Sequence, residues 1–369
     1  MEGIYNNALE LLDKRQIGIL ATIIRLTGSG PRAAGAKFLI MENGSFIGTI
    51  GGGLLEAEVL KKAKHVLKTA RPCRMHLSLM GKDVAETDMI CGGDAEVLLE
   101  PLFPDDEAQI AILKRCLGIR KRGGAGLLAT VVNVERWGKE KSLKVLFEKS
   151  GQRAGGLPGM ESIEESLVAS LEKWLERREP AITVFKDKEG KQVELFVEPL
   201  FSDPLLYIFG GGHVSTQIVP LASGVGFKAV VIDDRAEFAD PARFPKAEEV
   251  CCCPFERVME RFPINKLSYI IIVTRGHLND KMVLEQALRT GARYIGMIGS
   301  RRKKAMIYER LLVEGFTRED LNRVCAPIGL DIGAETTEEI AVSIVAQLIQ
   351  VRAGKVNEQY YRVLSKDDE

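Results

Sequence analysis

Leu205-Leu-Tyr-Ile-Phe-Gly-Gly-Gly-His-Val-Ser-Thr216 decides the fold of this chain. An apolar run of strand length, Leu205 to Phe209, ends in three glycines, and helix-compatible residues follow. That order predicts a strand, a tight turn and a helix N-terminus. Such a turn lets a ligand phosphate approach the backbone, and the helix end offers it unpaired N–H groups. About 23 residues after Gly210, a second apolar run ends in Asp233-Asp234, where an acid is placed to accept hydrogen bonds from a ribose. Strand, turn and acid at this spacing predict a Rossmann-like fold; they do not show that a dinucleotide is bound. The fingerprint is imperfect, because Ser215 stands where Gly or Ala usually packs helix against sheet.

The strands that follow extend the same edge. Tyr269-Ile-Ile-Ile-Val273 is continuously apolar, as a parallel sheet covered on both faces requires. It leads into Thr274-Arg-Gly-His277 and Asp280. Ligands of open α/β sheets sit at the carboxyl ends of strands. Arg275, His277 and Asp280 are therefore expected in one cleft with Gly210, Gly211, Gly212 and His213. Two histidines there raise the question of zinc, but no close ligand spacing supports it. After the next strand, Tyr294 to Ile298, come Gly299, Ser300, Arg301, Arg302 and Lys303. These cations at a helix start read as phosphate contacts or as ordinary solubilising charge. Val324 to Ala334 reads as strand or loop. Thr336 and Glu339 have the spacing of a capping box for a helix from Ile340 to Val351.

The first half repeats itself. Gly18-Ile-Leu-Ala-Thr22 returns as Gly126-Leu-Leu-Ala-Thr130, and Glu96-Val-Leu-Leu-Glu-Pro-Leu-Phe103 as Glu194-Leu-Phe-Val-Glu-Pro-Leu-Phe201. Helix-like segments, 4–15 and 107–121, precede the copies, and others, 54–67 and 161–177, fall within them. This order predicts a duplicated α/β unit of about 100 residues whose halves bury each other; the alternative is chance similarity of strand-forming segments.

Features present in one copy only are candidates for function. Gly28-Ser29-Gly30-Pro31-Arg32 reads as an anion nest, with Ser29 a donor and Arg32 a fork for phosphate, or as a plain loop. Gly51-Gly52-Gly53 before Glu56 reads as bare N–H groups at a helix start, or as a loop whose acids favour the helix dipole. Cys91-Gly92-Gly93 leaves a thiol sterically open, suited to a soft metal or to sulfur handling, where most free cysteines are core fillers.

Composition bounds the rest. The chain has 369 residues, 46% hydrophobic and 28% charged, with Lys+Arg and Asp+Glu both 51. That size suits two domains. The balance gives no pull toward nucleic acid or anionic membrane. A polar N-terminus and no apolar run of spanning length predict a soluble, cytoplasmic protein. An odd count of 7 cysteines argues against a disulfide framework. Cys251-Cys252-Cys253 reads as a strand stopped by Pro254, because adjacent side chains diverge and no Cys-x-x-Cys accompanies them. The expected fold class is α/β: an N-terminal α/β domain, residues 1–202, with an internal duplication (about 1–104 and 105–202). A Rossmann-like parallel-sheet domain, 203–352, and a polar tail, 353–369, follow.

Together, Gly28-Ser-Gly-Pro-Arg32, Gly48-Thr-Ile-Gly-Gly-Gly53, Cys91-Gly-Gly93, Phe209-Gly-Gly-Gly-His213, Asp233-Asp-Arg235, Thr274-Arg-Gly-His277, Gly299-Ser-Arg-Arg-Lys303 and Pro327-Ile-Gly-Leu-Asp-Ile-Gly-Ala334 resemble the XdhC/CoxI family, xanthine dehydrogenase accessory proteins. The resemblance covers nearly the whole chain. It implies a maturation factor rather than the dehydrogenase. Such a factor binds molybdenum cofactor (molybdopterin), supports its sulfuration by a sulfur donor such as a cysteine desulfurase, and delivers it to a molybdenum hydroxylase client. It also implies a homodimer. The family often has cysteine after Gly-Gly-Gly, where this chain has Leu54, so half of a cysteine pair is missing. In this reading the cofactor's phosphate sits on Gly210–Gly212 with Arg301 and Arg302, Asp233 meets a ribose, and Cys91 is the soft ligand at the molybdenum end. The first domain is expected to supply the cleft's other wall. The rival readings are an NAD(P)-dependent oxidoreductase with His213 or His277 as proton donor, and a nucleotide-binding regulator.

Overall fold

The computed structural model describes residues 2–28, 32–78, 93–122, 124–137 and 143–354. They fall into two compact units, Met1–Ser202 and Asp203–Glu369.

The first unit holds one α/β pattern twice. Its first copy runs α1 (Glu2–Asp13), β1 (Gly18–Gly28), β2 (Lys37–Met41), β3 (Phe46–Gly48), α2 (Gly53–Thr69), β4 (Cys73–Ser78) and β5 (Gly93–Leu102). The second runs α3 (Glu107–Arg122), β6 (Ala125–Val131), β7 (Lys144–Glu148), β8 (Arg153–Gly156), α4 (Glu161–Ala169), α5 (Leu171–Arg177), β9 (Ala181–Lys186) and β10 (Gln192–Phe201). Each copy builds a five-stranded antiparallel sheet, ordered β3-β2-β1-β5-β4 and β8-β7-β6-β10-β9. The registers match residue for residue. Thr22 lies opposite Lys37, and Thr130 opposite Lys144. Leu20 lies opposite Glu100, and Leu128 opposite Glu198. Strand order and register thus match between the two halves, as a duplicated unit would require. The segment 161–177, read as one helix, divides at Ser170, whose Oγ turns back to Ser166 O (2.7 Å).

Strand alternation sorts most of the side chains into three cores, beside a small cluster of Ile24, Leu98, Val132 and Phe196. Ile19, Ala21 and Ile23 face α2; Leu127, Ala129 and Val131 face α4. The alternate residues Leu20, Leu39, Leu128 and Leu146 enter a third core with Tyr5 and Ala8 of α1 and Ile112 and Cys116 of α3. Both sheets share that core, so a half alone would leave one sheet face uncovered. The halves also exchange charges. Lys37 Nζ meets Glu198 Oε1 at 2.6 Å, and Lys144 pairs with Glu100; all four are buried. Because Lys37 is the counterpart of Lys144, and Glu100 of Glu198, this is one contact made twice in opposite senses.

The second unit is doubly wound. It contains β11 (Leu205–Phe209), α6 (His213–Gly224), β12 (Lys228–Asp233), β13 (Glu249–Cys252), β14 (Tyr269–Ile272), α7 (Gly276–Leu288), β15 (Tyr294–Met297), α8 (Arg301–Val313), α9 (Arg318–Asn322), β16 (Val324–Cys325) and α10 (Thr337–Arg352). Its sheet has the order β13-β12-β11-β14-β15-β16, with every pair parallel. One face packs on α7 and α8, the other on α6 and α10. Strand order reverses between β11 and β14, the switch point where ligands of such sheets bind. The capping box forms: Thr336 Oγ1 accepts from Glu339 N (3.2 Å), and Glu339 Oε2 accepts from Thr336 N (3.0 Å). The cysteine triplet ends β13, with Cys251 and Cys253 on one side, their sulfurs 3.7 Å apart, and Cys252 exposed. Among the described residues, no helix is long and apolar enough to cross a membrane.

Candidate functional site

The glycine turn ends β11 beside β14. Gly210 has φ +113°, and a Cβ there would lie 2.4 Å from Val273 O, so only glycine lets these strand ends pass. A Cβ on Gly211 would lie 2.2 Å from Phe238 O. Ser215 fills the third fingerprint position without cost: it is buried, and its hydroxyl donates to Gly210 O (2.5 Å). Gly212 differs from its neighbours. It is the N-cap of α6, no side chain caps it, and a Cβ there would meet nothing within 4 Å. The first turn of α6 holds no acid, so its amide end is open to an anion. His213 is exposed at that end.

Asp233 turns its carboxylate inward. Its Oδ2 accepts from Gly211 N (2.7 Å) and Arg235 Nη2 (3.1 Å), and its Oδ1 from Arg235 N and Nε (both 3.0 Å). Burial pushes this carboxyl up; the Arg235 guanidinium and the two amides outweigh burial and hold it below the usual aspartate value. Arg235 also stacks over Phe238, 3.6 Å from the ring centroid. Arg243 Nη1 donates to Gly211 O (2.8 Å) and Phe238 O (3.2 Å). The turn is thus clamped from its far side by residues 233–243. Asp234 is the acid with spare capacity. Its Oδ2 accepts from Arg275 Nη2 (3.2 Å), while its Oδ1, 3.7 Å from Arg235 Nε, accepts no hydrogen bond among the described residues.

The edge continues at β14 and β15. Asp280, expected in the cleft, is fully buried beneath it. Its Oδ1 accepts from Thr274 N (3.2 Å) and Oγ1 (2.6 Å), and its Oδ2 pairs with Lys303. Burial is the dominant influence and raises its carboxyl above the ordinary value despite those partners. Gly299 (φ +156°) leads into Ser300, the N-cap of α8, whose hydroxyl accepts from Lys303 N (3.2 Å). His277, Ser300, Arg302 and Lys303 line one shallow depression of about 350 Å³. Arg301 faces a different cavity. Among the described residues, no group of three or more His, Cys, Asp and Glu is arranged to hold a metal ion.

Residues 206–348 match the family model of the XdhC Rossmann domain, and residues 11–78 match that of the XdhC and CoxI family. The chain belongs to the XdhC/CoxI family. Relatives in the XdhC/CoxI group run along nearly its whole length. A protein of Bacillus subtilis (strain 168) described as a probable xanthine dehydrogenase component is 24% identical over 349 residues, 93% of this chain and 95% of its own. The molybdenum cofactor insertion chaperone PaoD of Escherichia coli (strain K12) is 19% identical over 345 residues, 94% of this chain and 86% of its own. A crystal structure described as a xanthine dehydrogenase from Bacillus halodurans has a TM-score of 0.73 and 27% identity, covering 95% of this chain and 97% of that one.

The remaining XdhC/CoxI motifs lie in the first unit. Ser29 and Cys91 fall outside the described residues. Arg32 is exposed. Within the Gly51-Gly52-Gly53 turn, Gly51 and Gly52 do not offer the bare amides expected of them. Ile50 N (3.0 Å) and Gly52 N (2.9 Å) donate to Glu56 Oε1, and Gly51 N donates to Thr49 Oγ1 (3.0 Å), which itself donates to Glu56 (2.5 Å). Burial pushes the Glu56 carboxyl up; these hydrogen bonds overcome it and hold it below the usual range. The second copy keeps the device, because Glu164 Oε1 accepts from Leu157 N (2.5 Å) ahead of α4. Glu56 is therefore a fold feature, and Gly53, at φ +56°, opens α2. No sequence signal announces the Phe238–Arg243 clamp, which follows no helix or strand period.

Proposed function

We propose that this chain is an accessory factor for a xanthine dehydrogenase-type molybdenum hydroxylase, which holds molybdenum cofactor as cargo and passes it to the apo-enzyme. The observation that carries this reading is the turn at Gly212: rigid through Asp233 and Arg243, uncapped, and empty of side chain where an anion would approach. Its amides suit a phosphate or pyrophosphate. Similarity over 94% of the chain to a molybdenum cofactor insertion chaperone favours this cargo over a nicotinamide nucleotide. In this reading Cys91 handles sulfur at the metal end, with a cysteine desulfurase as donor, and the protein works as a homodimer in the cytoplasm.

The test loads the full chain with molybdenum cofactor, removes free ligand by gel filtration, and reads molybdenum content and pterin fluorescence. Gly212→Ala places a methyl in the cradle, at a helix-cap cost of ~1 kcal/mol or less. Retention is expected to fall sharply while the unfolding midpoint barely moves. Loaded wild type is expected to activate an apo-hydroxylase. Stoichiometric binding of a nicotinamide nucleotide with no retained molybdenum would overturn the proposal. Full retention and transfer by Cys91→Ala would remove that residue from it.

A further inference from the structure

The outer side of α6 and α10 carries no charge. The chain is 28% charged, yet α6 contains no Asp, Glu, Lys or Arg, and neither does α10 from Ile340 to Val351. Across the sheet, α8 begins Arg301-Arg302-Lys303-Lys304 and carries Glu309 and Arg310 beyond. The inner sides of α6 and α10 belong to the core, where Ile218, Ala222, Ile344 and Leu348 pack on the sheet. Their outer sides are apolar as well. Val342 and Ile349 are exposed and Ala346 is half-buried, at the i, i+4, i+7 spacing that lines one side of a helix. Leu221 and Val225 are exposed at the C-terminal end of α6. There Arg352 Nη1 donates to Val225 O (2.7 Å), which joins that end to the end of α10. A helix that is apolar all round is ordinarily covered.

The sequence that follows α10 matches this face. Val356, Tyr360, Val363 and Leu364 recur at i, i+4, i+7 and i+8, whereas Glu358, Arg362 and Lys366 fall on the other side of the same helical projection. Glu358 and Arg362 also have the i, i+4 order of a helix-supporting ion pair. The polarity of the tail is thus one-sided. The chain enters this segment beside the face. Ala353 N donates to Ile349 O (2.9 Å) and Gly354 N to Val351 O (3.1 Å). Gly354, at φ +69°, takes the left-handed position that ends a helix and turns the chain off its axis.

We propose that residues 355–369 fold back as an amphipathic helix over the outer side of α6 and α10, laying Val356, Tyr360, Val363 and Leu364 on Val342, Ile349, Leu221 and Val225. The lengths agree: as a helix 356–364 spans roughly 13 Å, against about 10 Å from Val342 to Ile349. Tethering favours this occupant over a separate molecule, because a segment that begins at the face meets it at an effective concentration of about millimolar. A partner recognised through ion pairs would find no charge on the face to pair with. This covering is independent of what the glycine turn binds.

The test is hydrogen exchange of the full chain, read by mass spectrometry of its peptides. Amides of 356–364 are expected to exchange about tenfold or more slower than in a free peptide of the same sequence, at every protein concentration. V342E/I349E, and separately Y360D/L364D, are expected to raise exchange to the free-peptide rate. Val313→Glu, at an exposed apolar position of α8, is expected to change nothing. Should V342E/I349E fold poorly, wild type and Y360D/L364D still decide. Free-peptide exchange in wild type would overturn the proposal. So would protection that survives V342E/I349E, because the segment would then lie elsewhere. A molar mass by light scattering that falls in V342E/I349E but not in Y360D/L364D would give the face to a second copy of the chain and overturn it as well.

Discussion

Replacing Lys37 with methionine leaves Glu198 as an uncompensated charge between the two halves of the first unit. The Lys37 side chain is 3% exposed and that of Glu198 8%, so solvent cannot substitute for the lost ammonium. Removing one partner of a buried pair costs about 3–5 kcal/mol, a large share of the ~5–15 kcal/mol that holds a domain folded. The double change Lys37→Met/Glu198→Leu removes the stranded charge as well and is expected to recover most of that loss. The counterpart pair, Lys144 and Glu100, is as deeply buried, at 10% and 1%, and is expected to give the same pattern. Urea unfolding followed by tryptophan fluorescence reads this unit alone, because the chain's 2 tryptophans, Trp137 and Trp174, both lie within it. The single variant is expected to lower the midpoint by roughly 1–2 M urea. A single variant costing under about 1 kcal/mol, or a double variant no better than the single, would refute the claim that these charges are buried and coupled.

Other outcomes follow from the second unit and the thiols. Gly210→Ala forces a left-handed residue against Val273 O and is expected to destabilise the second unit by about 2 kcal/mol or more, read as a drop in its thermal midpoint. Asp233 is held below its ordinary pKa, so its stabilisation is complete above the unfolded aspartate value and is lost as pH falls through the folded one. Asp233→Asn is expected to flatten the acid limb of a stability–pH profile. Asp280, raised, works in the opposite sense: its contribution is present below the unfolded value and is lost as pH rises through the folded one. Among the described cysteines, Cys252 is expected to react first with a thiol reagent at neutral pH. Cys116, pushed up to about 12 by burial, is expected to stay unmodified until unfolding, as peptide mapping after alkylation would show.

Much of the fold was legible because it rests on local patterns. The apolar runs at Leu205 and Tyr269 had to be doubly covered parallel strands, and they are. The repeat of Gly18–Thr22 in Gly126–Thr130 exposed the duplication, since like strands in like order accept like registers. The break at Ser170 was not legible, because helix period continues across it. Lys37, Lys144, Glu100 and Glu198 were also silent. In sequence each is an ordinary charged residue, and only the apposition of the two halves buries it. The glycine turn was legible as a place in the fold and less so in its details. Asp233 was the obvious acid at a strand end, yet which of two adjacent aspartates turns inward depends on Arg235, Phe238 and Arg243, set by a loop with no period.

The glycine triplet shows how a motif divides between fold and function. Gly210 is required by β14, where Val273 O leaves no room for a Cβ, and Gly211 by the loop that brings Phe238 O to 2.2 Å. Either would be glycine in a protein that bound nothing. Gly212 alone has a φ of −73° open to any residue and no atom within 4 Å of a Cβ. Glycine is itself a favoured helix N-cap, and the open position also leaves room for an anion. The same reasoning separates the cations of α8. Lys303 is held by Asp280 and so belongs to the fold, while Arg301 and Lys304 sit at a positive helix end without a carboxylate among the described residues. Residues that the folded chain alone would disfavour, or leave free to vary, are the ones a ligand has to account for.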